Sequence, residues 1–213
     1  MDFTHTFIDL DETIYPNSSG VWRLIKQRVY NYMQNKFGIP VEAAVDLSRR
    51  YVDEYGTTFK GLQAHHTFDP DEYFNFIHDV PLDQHLEYDP ALVHALQNIP
   101  GEKYILTNGT APHVRRVLDY LKVTDFFNGI IDIKDMDPFN KPNPEAFEIA
   151  LKIAGNPDPK KCVFVDDLEN NTRGALKMGF ISILFGKVGS PGGCTASAMD
   201  WAQVEQILMG DSK

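Results

Sequence analysis

The stretch FTHTFIDLDETIYP, residues 3–16, decides the fold of this chain. Its first half is apolar and predicts a buried strand that runs into two carboxylates, Asp9 and Asp11. Residues two apart in an extended strand project to the same side, so we expect these side chains to emerge together. Two carboxylates that close repel unless a cation or a proton lies between them. The pair therefore indicates a divalent metal site, an acid/base pair or both, and the alternative interpretation is an acidic turn after a strand.

The composition is that of an ordinary soluble globular protein. The 213 residues are 43% hydrophobic and 23% charged, which suits one domain with an insertion or two modest domains. A net charge of −10 argues against a general nucleic-acid surface or an anionic-membrane surface. The two cysteines lack metal-ligand spacing, the N-terminus lacks signal-peptide features, and no apolar run reaches transmembrane length. We expect a cytoplasmic monomer or weak homodimer that acts on a small molecule, without nucleic acid or membrane partners.

The periodicity of apolar residues divides the chain into two regions. Residues 16–88 predict helices and no strand, because apolar side chains recur there at three- and four-residue spacing. From Asp89 onward, short β-branched runs alternate with helices, which is typical of a parallel sheet covered on both faces. These later strands are predicted at residues 104–106, 130–133, 162–165 and 181–184. We predict a doubly wound, Rossmann-like α/β core formed by residues 1–15 and 89–213, interrupted by an all-helical domain at 16–88.

Polar residues follow the predicted strands at the edge where such sheets bind ligands. Asp9 and Asp11 end the first strand, Thr107-Asn108-Gly109 follows the second, and Asp166-Asp167 follows the strand at 162–165. Lys141 lies on a loop before a helix. Each has an ordinary explanation as a turn, a helix cap or a solvated lysine. Together they offer carboxylates for Mg²⁺, a hydroxyl and an amide for phosphate oxygens, and a lysine to balance charge.

The order of these motifs resembles the haloacid dehalogenase-like (HAD) superfamily. The match consists of Asp-x-Asp-x-Thr at residues 9–13, Thr-Asn-Gly at 107–109, Lys141 and Asp166-Asp167, and it covers essentially the whole chain. The resemblance implies that the helical region at 16–88 is a cap domain of the C1 type. It also implies a hydrolase of small phosphate monoesters rather than a dehalogenase, because the superfamily's dehalogenases lack a carboxylate at the position of Asp11.

The resemblance implies a role for each motif residue. Asp9 would be the nucleophile that forms an aspartyl-phosphate. Asp11 would protonate the leaving alcohol and then deprotonate the attacking water. Thr107, Asn108 and the Gly109 amide would hold the phosphoryl oxygens, and Lys141 would neutralise charge on Asp9 and the phosphoryl group. Mg²⁺ would be bound by Asp9, by the backbone carbonyl of Asp11 and by Asp167, with Asp166 nearby through water; which of the last two ligates directly stays open.

Shorter segments of sequence similarity indicate a substrate class. The segment Phe7–Pro16, with Tyr55–Thr58 and Gly61–Leu62 in the helical region, is similar to the pyrimidine 5′-nucleotidase branch. This similarity implies a pyrimidine nucleoside 5′-monophosphate as substrate and a role in nucleotide metabolism. The alternatives are a phosphatase for another small phosphoester (phosphoglycolate or a sugar phosphate), a phosphomutase, and a phospho-accepting switch domain. In a switch domain the phosphoacceptor follows the acidic pair on a later strand, which does not fit the late Asp166-Asp167.

The helical region is also rich in aromatic residues and contains the pair His65-His66. Aromatics at helical spacing indicate core packing more often than a nucleobase site. Adjacent residues on a helix point apart, so at most one of the two histidines would face the site, and we favour neither as a metal or substrate contact.

Overall fold

The structure is a computed structural model that describes residues 2–210, and the chain divides into two compact units. One unit holds the residues up to Asn17 and from Leu86 onward, and it contains all strands described below. The other unit holds Ser18–His85 and consists of helices joined by turns.

The helical unit contains four α-helices within the described residues: α1 (Val21–Phe37), α2 (Val41–Tyr55), α3 (Thr58–His65) and α4 (Pro70–His78). Helix α1 ends at Gly38, which adopts the left-handed conformation and donates its N–H to the carbonyl of Gln34. Helix α4 begins after Asp69, whose carboxylate accepts the N–H of Asp71 at 2.8 Å. A glycine and an aspartate that can be recognised as cap residues in the sequence therefore determine where these two helices end and begin.

Aromatic side chains form the core of the helical unit. Tyr32 and Tyr73 are buried with their rings 5.1 Å apart, and Phe59 and Phe74 are buried at 4.5 Å. His65 and His66 also pack against rings of this unit. The expectation that most of these aromatics are core residues is confirmed for the four rings named above.

A six-stranded parallel sheet forms the centre of the α/β unit, counting the described residues. Its strands lie in the order β3-β2-β1-β4-β5-β6. They are β1 (His5–Ile8), β2 (Glu102–Leu106), β3 (Gly129–Ile131), β4 (Cys162–Asp166), β5 (Ile181–Phe185) and β6 (Ala196–Ala198). Strand β1 lies between β2 and β4, and every adjacent pair is parallel. The carboxyl ends of the strands therefore share one edge, with β1 and β4 side by side at its centre.

The sheet is covered on both faces. Phe7 and Ile8 are consecutive in β1 and therefore point to opposite faces, yet both are fully buried. On the face of Phe7, the rings of Phe147, Phe164 and Phe180 meet edge to face or tilted at 5.4 to 5.8 Å. This arrangement confirms the prediction of a doubly wound α/β core.

Five further helices surround the sheet in the described part of the α/β unit: α5 (Pro90–Asn98), α6 (Ala111–Leu121), α7 (Pro144–Ile153), α8 (Glu169–Lys177) and α9 (Trp201–Met209). Helix α5 begins after Asp89, whose carboxylate accepts the N–H of Ala91 at 2.8 Å. Helix α8 approaches the loop before α7 closely at Gly174. A Cβ there would lie 2.8 Å from the carbonyl oxygen of Pro142, so only glycine fits without a shift. This close approach supports the loop that carries Lys141.

Strands β3 and β6 show the differences from the sequence prediction that matter most for the edge of the sheet. Strand β3 ends at Ile131 because the Asp132 carboxylate accepts the N–H groups of Lys134 and Asp135 and starts a turn. Strand β6 was not predicted, because three residues after a glycine-rich loop give no periodic signal.

Candidate active site

The candidate site begins where β1 ends. The N–H of Asp9 still donates to the Val165 carbonyl of β4 at 2.9 Å, and the chain then turns, with the N–H of Ile14 donating to the Leu10 carbonyl. The indole N–H of Trp201 holds this turn by donating to the Thr13 carbonyl at 3.1 Å. The strand alternation used above for Asp9 and Asp11 is therefore wrong as an explanation, because β1 ends at Ile8 and Asp11 lies in a turn.

Lys141 lies at the centre of a buried charge cluster. Its ammonium donates three hydrogen bonds of 2.7 Å each, to Asp9 Oδ1, to Asp166 Oδ2 and to the Leu106 carbonyl. Its side chain is 1% exposed, so all three of its hydrogens are used inside the protein. The three partners thus come from the residue that follows β1 (Asp9), from the end of β2 (Leu106) and from the end of β4 (Asp166). The structure brings together Asp9, Lys141 and Asp166, as the sequence predicts.

Asp166 and Asp167 are adjacent in sequence but have different surroundings. The fully buried Asp166 carboxylate accepts hydrogen bonds from Lys141, from the Leu168 N–H at 2.8 Å and from the Asn171 amide at 3.0 Å. Asp167 keeps a 10% exposed side chain, with the ammonium of Lys187 at 3.7 Å from its Oδ2. Asp166 is therefore held by several hydrogen bonds within the protein, whereas Asp167 faces a half-exposed lysine.

The carboxylates of Asp9, Asp166 and Asp167 form a group that fits a metal ion. One oxygen from each lies within 4.8 Å of the others, and all three residues are buried. Oxygen ligands of this kind are those that Mg²⁺ and Ca²⁺ take in proteins. Among the described residues, this is the group of acidic, histidine or cysteine side chains that meets such a spacing.

The electrostatics of the cluster favour a cation. Burial raises the pKa of the Asp9 carboxyl well above its ordinary value; Lys141 opposes this shift, and Asp166 and Asp167 add to it. Burial, followed by the charge of Asp166, raises the pKa of Asp167 to about 7. Burial alone would lower the pKa of Lys141, but Asp166 and Asp9 raise it overall, so the ammonium stays charged. One ammonium thus faces three carboxylates, and a divalent ion would balance the remaining charge.

The segment Thr107-Asn108-Gly109 follows β2 beside this cluster. The Asn108 side chain bonds both backbone groups of Lys141, accepting its N–H at 2.9 Å and donating to its carbonyl at 3.0 Å. Thr107 Oγ1 accepts the Gly109 N–H at 2.9 Å. In this structure Asn108 therefore braces the Lys141 loop and the Gly109 amide bonds Thr107. Their role toward phosphate oxygens stays a prediction.

Asp11 has two partners that the sequence analysis missed. The Tyr15 hydroxyl donates to Asp11 Oδ1, and His113 Nε2 lies 3.2 Å from the same oxygen. His113 lies in the first turn of α6, four residues after Gly109. The sequence shows that His113 lies close to the site, because α6 begins just after the Thr-Asn-Gly motif. It does not show which side chain His113 contacts, because a single histidine in an amphipathic helix gives no indication of its partner.

The helical unit holds the remaining residues that were weighed as site candidates. His65 stacks on Tyr51 with ring centroids 5.3 Å apart, and its Nε2 lies 3.0 Å from the Tyr55 hydroxyl. His66 stacks on Phe37 at 4.2 Å. Both histidines therefore have aromatic partners within their own unit.

Solved structures of HAD proteins share this fold. YfnB of Bacillus subtilis, described as a HAD hydrolase and solved with magnesium, has a TM-score of 0.66 and 16% identity, covering 98% of this chain and 99% of that one. A HAD phosphatase from Thermococcus onnurineus has a TM-score of 0.64 and 20% identity, covering 99% and 100%. At such identities these likenesses show the fold alone.

The sequence comparisons define the family. The sequence profile of the haloacid dehalogenase-like hydrolases matches residues 4–179, and the chain belongs to this family. The resemblance to this family that the motifs indicate is thereby confirmed. Phosphate metabolism protein 8 of Saccharomyces cerevisiae is 32% identical over 187 residues, 81% of this chain and 58% of that protein. The chain thus spans less than two thirds of the length of this relative.

A search of the described helices for membrane spans gives a negative result. None of them combines the length and the apolar character that crossing a bilayer requires.

Proposed function

We propose that this hydrolase is a phosphatase that cleaves small phosphate monoesters through an aspartyl-phosphate on Asp9. The observation that carries the proposal is the buried cluster in which Lys141 bridges Asp9 and Asp166 at 2.7 Å, with Asp167 beside them. Phosphoryl transfer needs little more than a positioned nucleophile and fixed charges that match those of the transition state. The names of the relatives agree with phosphate chemistry, as in the Thermococcus onnurineus phosphatase and the yeast phosphate metabolism protein.

Asp9 would act as the nucleophile. In the first step one of its carboxylate oxygens bonds to phosphorus while the ester P–O bond breaks, and the departing oxygen takes a proton from Asp11. In the second step Asp11 accepts a proton from the water that attacks phosphorus, which releases phosphate and regenerates Asp9. Lys141 would hold the attacking carboxylate and offset the negative charge of the phosphoryl group. The presence of a carboxylate at position 11 favours this chemistry over dehalogenation.

The acidic group would hold Mg²⁺. Because the Asp166 carboxylate already accepts hydrogen bonds from Lys141, Leu168 and Asn171, we assign the direct contact to Asp167, together with Asp9 and the backbone carbonyl of Asp11. Asp166 would act through water and by fixing Lys141. The ion would supply positive charge that reduces the repulsion between the Asp9 carboxylate and the phosphoryl oxygens. Thr107, Asn108 and the Gly109 amide would contact the phosphoryl oxygens.

The substrate would be a pyrimidine nucleoside 5′-monophosphate. The helical unit would then act as a C1 cap that selects the group attached to phosphate. Such a cap would favour a small molecule over a phosphoprotein or a nucleic acid polymer as the substrate. The first alternative is a phosphatase for phosphoglycolate or a hexose phosphate, which would use the same catalytic residues but a cap that selects a different substrate. A phosphomutase would instead return the phosphoryl group to its substrate and release no phosphate.

A panel of phosphate monoesters tests the proposed substrate. With Mg²⁺ present, we expect kcat/KM for UMP and CMP to exceed the values for AMP, phosphoglycolate and hexose phosphates by about tenfold or more. Release of inorganic phosphate is the readout, and the Asp9→Asn protein, purified in parallel, corrects for contaminating phosphatases. Equal rates on all esters would remove the pyrimidine preference, and failure to release phosphate from any of them would remove the phosphatase.

A second prediction concerns pH and metal. The Asp167 pKa of about 7 lies above its ordinary value of 3.8, so its contribution to the stability of the metal-free protein is present at low pH and is lost as pH rises through about 7. Metal binding needs the carboxylate form. We therefore expect Mg²⁺ to raise the melting temperature clearly at about pH 8 and much less at about pH 5.

Two variants distinguish Mg²⁺ binding at Asp167 from a general effect of removing one negative charge. Asp167→Asn should remove most of the Mg²⁺-induced rise at the higher pH, whereas Asp125→Asn, the same change at an exposed residue of the α/β unit, should leave it intact. A rise of equal size at both pH values in the unmutated protein would contradict the assignment of Asp167.

A further inference from the structure

Two side chains hold Asp11 at one oxygen: one lies four residues along the chain and the other comes from α6, 102 residues away. The Tyr15 hydroxyl donates to Oδ1, and His113 Nε2 lies 3.2 Å from it. The His113 side chain is fully buried and that of Asp11 is 13% exposed. A buried imidazole therefore contacts a carboxylate that is partly exposed to solvent.

Further contacts in the fold fix both partners. Tyr15 follows the turn that Trp201 anchors, and it is 2% exposed. His113 lies in the first turn of α6, and the start of that helix is fixed because the Ala111 N–H donates to Asp132 Oδ2 at 2.7 Å. Asp132 itself follows β3. The start of α6 is thus tied to the end of β3, and this contact helps to fix where the imidazole lies.

We propose that His113, together with Tyr15, positions the Asp11 carboxyl group for proton transfer to the leaving group and from the attacking water. This inference rests on the proposed phosphatase function and names positioning residues for it. Neither residue needs to touch the substrate. Each acts by restricting the rotation of the Asp11 side chain, which sits in a turn rather than in a strand.

The chemistry of the two partners suits this role. Burial, and next the Asp11 carboxylate, raise the pKa of Tyr15 well above its ordinary value, so the hydroxyl keeps its proton and donates. An imidazole N–H at Nε2 offers a second donor in a fixed direction. Two donors to the same oxygen leave the Asp11 carboxyl group a narrow range of orientations, and these hydrogen bonds are strongest once Asp11 has given up its proton. Proton transfer depends steeply on such orientation.

The leaving group provides a test that distinguishes positioning from packing. An alkyl phosphate releases a poor leaving group and needs a proton from Asp11, whereas 4-nitrophenyl phosphate releases a stable phenolate and needs little help. The parameter to compare is kcat/KM, because it covers only the steps up to departure of the leaving group and excludes hydrolysis of the aspartyl-phosphate. A loss that depends on the leaving group therefore reports on the Asp11 proton.

His113→Leu removes the hydrogen bond at similar volume, and His113→Gln keeps an N–H near the position of Nε2. We expect His113→Leu to lower kcat/KM for UMP or another alkyl phosphate by about 10- to 100-fold and to change the value for 4-nitrophenyl phosphate by less than about threefold. His113→Gln should recover part of the loss. Leu121→Val, a truncation two turns further along the buried face of α6, controls for loosening of the helix and should affect both esters equally.

A double variant completes the experiment. If His113 acts through Asp11, Asp11→Asn with His113→Leu should be no slower on alkyl phosphates than Asp11→Asn alone. An equal loss on both esters in His113→Leu, or an additive loss in the double variant, would overturn the proposal and leave His113 as a packing residue. Failure of the phosphatase function itself would look different, since the unmutated protein would then hydrolyse neither ester.

Discussion

Asp9→Asn is expected to abolish phosphate release, lowering kcat by about 10⁴-fold or more, which corresponds to roughly 5.5 kcal/mol of transition-state stabilisation. The amide has nearly the shape of the carboxylate, but it cannot form the bond to phosphorus. The fold should survive, because Lys141 keeps its hydrogen bonds to Asp166 and to the Leu106 carbonyl. Burial already raises the Asp9 pKa, so a neutral group at this position is tolerated in the metal-free protein.

The melting temperature and circular dichroism of Asp9→Asn should therefore match those of the unmutated protein without metal. Asp125→Asn provides the control for the same chemical change at an exposed site and should keep full activity. Turnover of Asp9→Asn within about tenfold of the unmutated rate would exclude Asp9 as the nucleophile.

Lys141→Met is expected to have the second largest effect, and it acts on both stability and activity. The methionine fills a similar volume but leaves Asp9 and Asp166 buried without their shared ammonium. Removing one partner of a buried ion pair costs about 3–5 kcal/mol, so the metal-free variant should melt well below the unmutated protein. Its kcat should also fall by about 10³-fold, because the phosphoryl charge loses its fixed counter-charge.

Lys187→Met is the matched control, since Lys187 is the other lysine near the cluster and lies 3.7 Å from Asp167 with a 51% exposed side chain. An exposed ion pair contributes about 1 kcal/mol or less, so this variant should keep its fold and most of its activity. Similar losses in the two lysine variants would contradict the central position assigned to Lys141. Denaturant unfolding with and without Mg²⁺ measures the difference in free energy.

Much of this fold could be predicted from the sequence, because helix and strand periods are local properties. The helix after Asp89-Pro90 and the strand at Cys162 were legible from a cap and from a β-branched run. The motif residues at the strand ends were found because parallel strands bring their carboxyl ends to one edge. The short strand β6 gave no such signal.

The partners within the site could not be predicted in the same way. The bonds of Asn108 to the Lys141 backbone, and the approach of His113 to Asp11, join residues 33 and 102 positions apart. Such contacts depend on how loops are held over the sheet, and neither hydropathy nor spacing encodes that. The turn after β1 is a similar case, because Asp11 lies in a turn that the strand pattern did not indicate.

Chemical trapping of the intermediate tests the proposed mechanism most directly. In Asp11→Asn, 4-nitrophenyl phosphate should still transfer its phosphoryl group, because nitrophenolate leaves without a proton, but hydrolysis of the product should be slow for want of a base. Quenching with acid and reducing with borohydride converts an acyl phosphate into an alcohol. Peptide mass spectrometry should then find homoserine in place of Asp9, in proportion to the burst of nitrophenolate and only when Mg²⁺ was present. A burst of that size accompanied by unmodified Asp9, or by phosphate on another residue, would show that Asp9 is not the nucleophile.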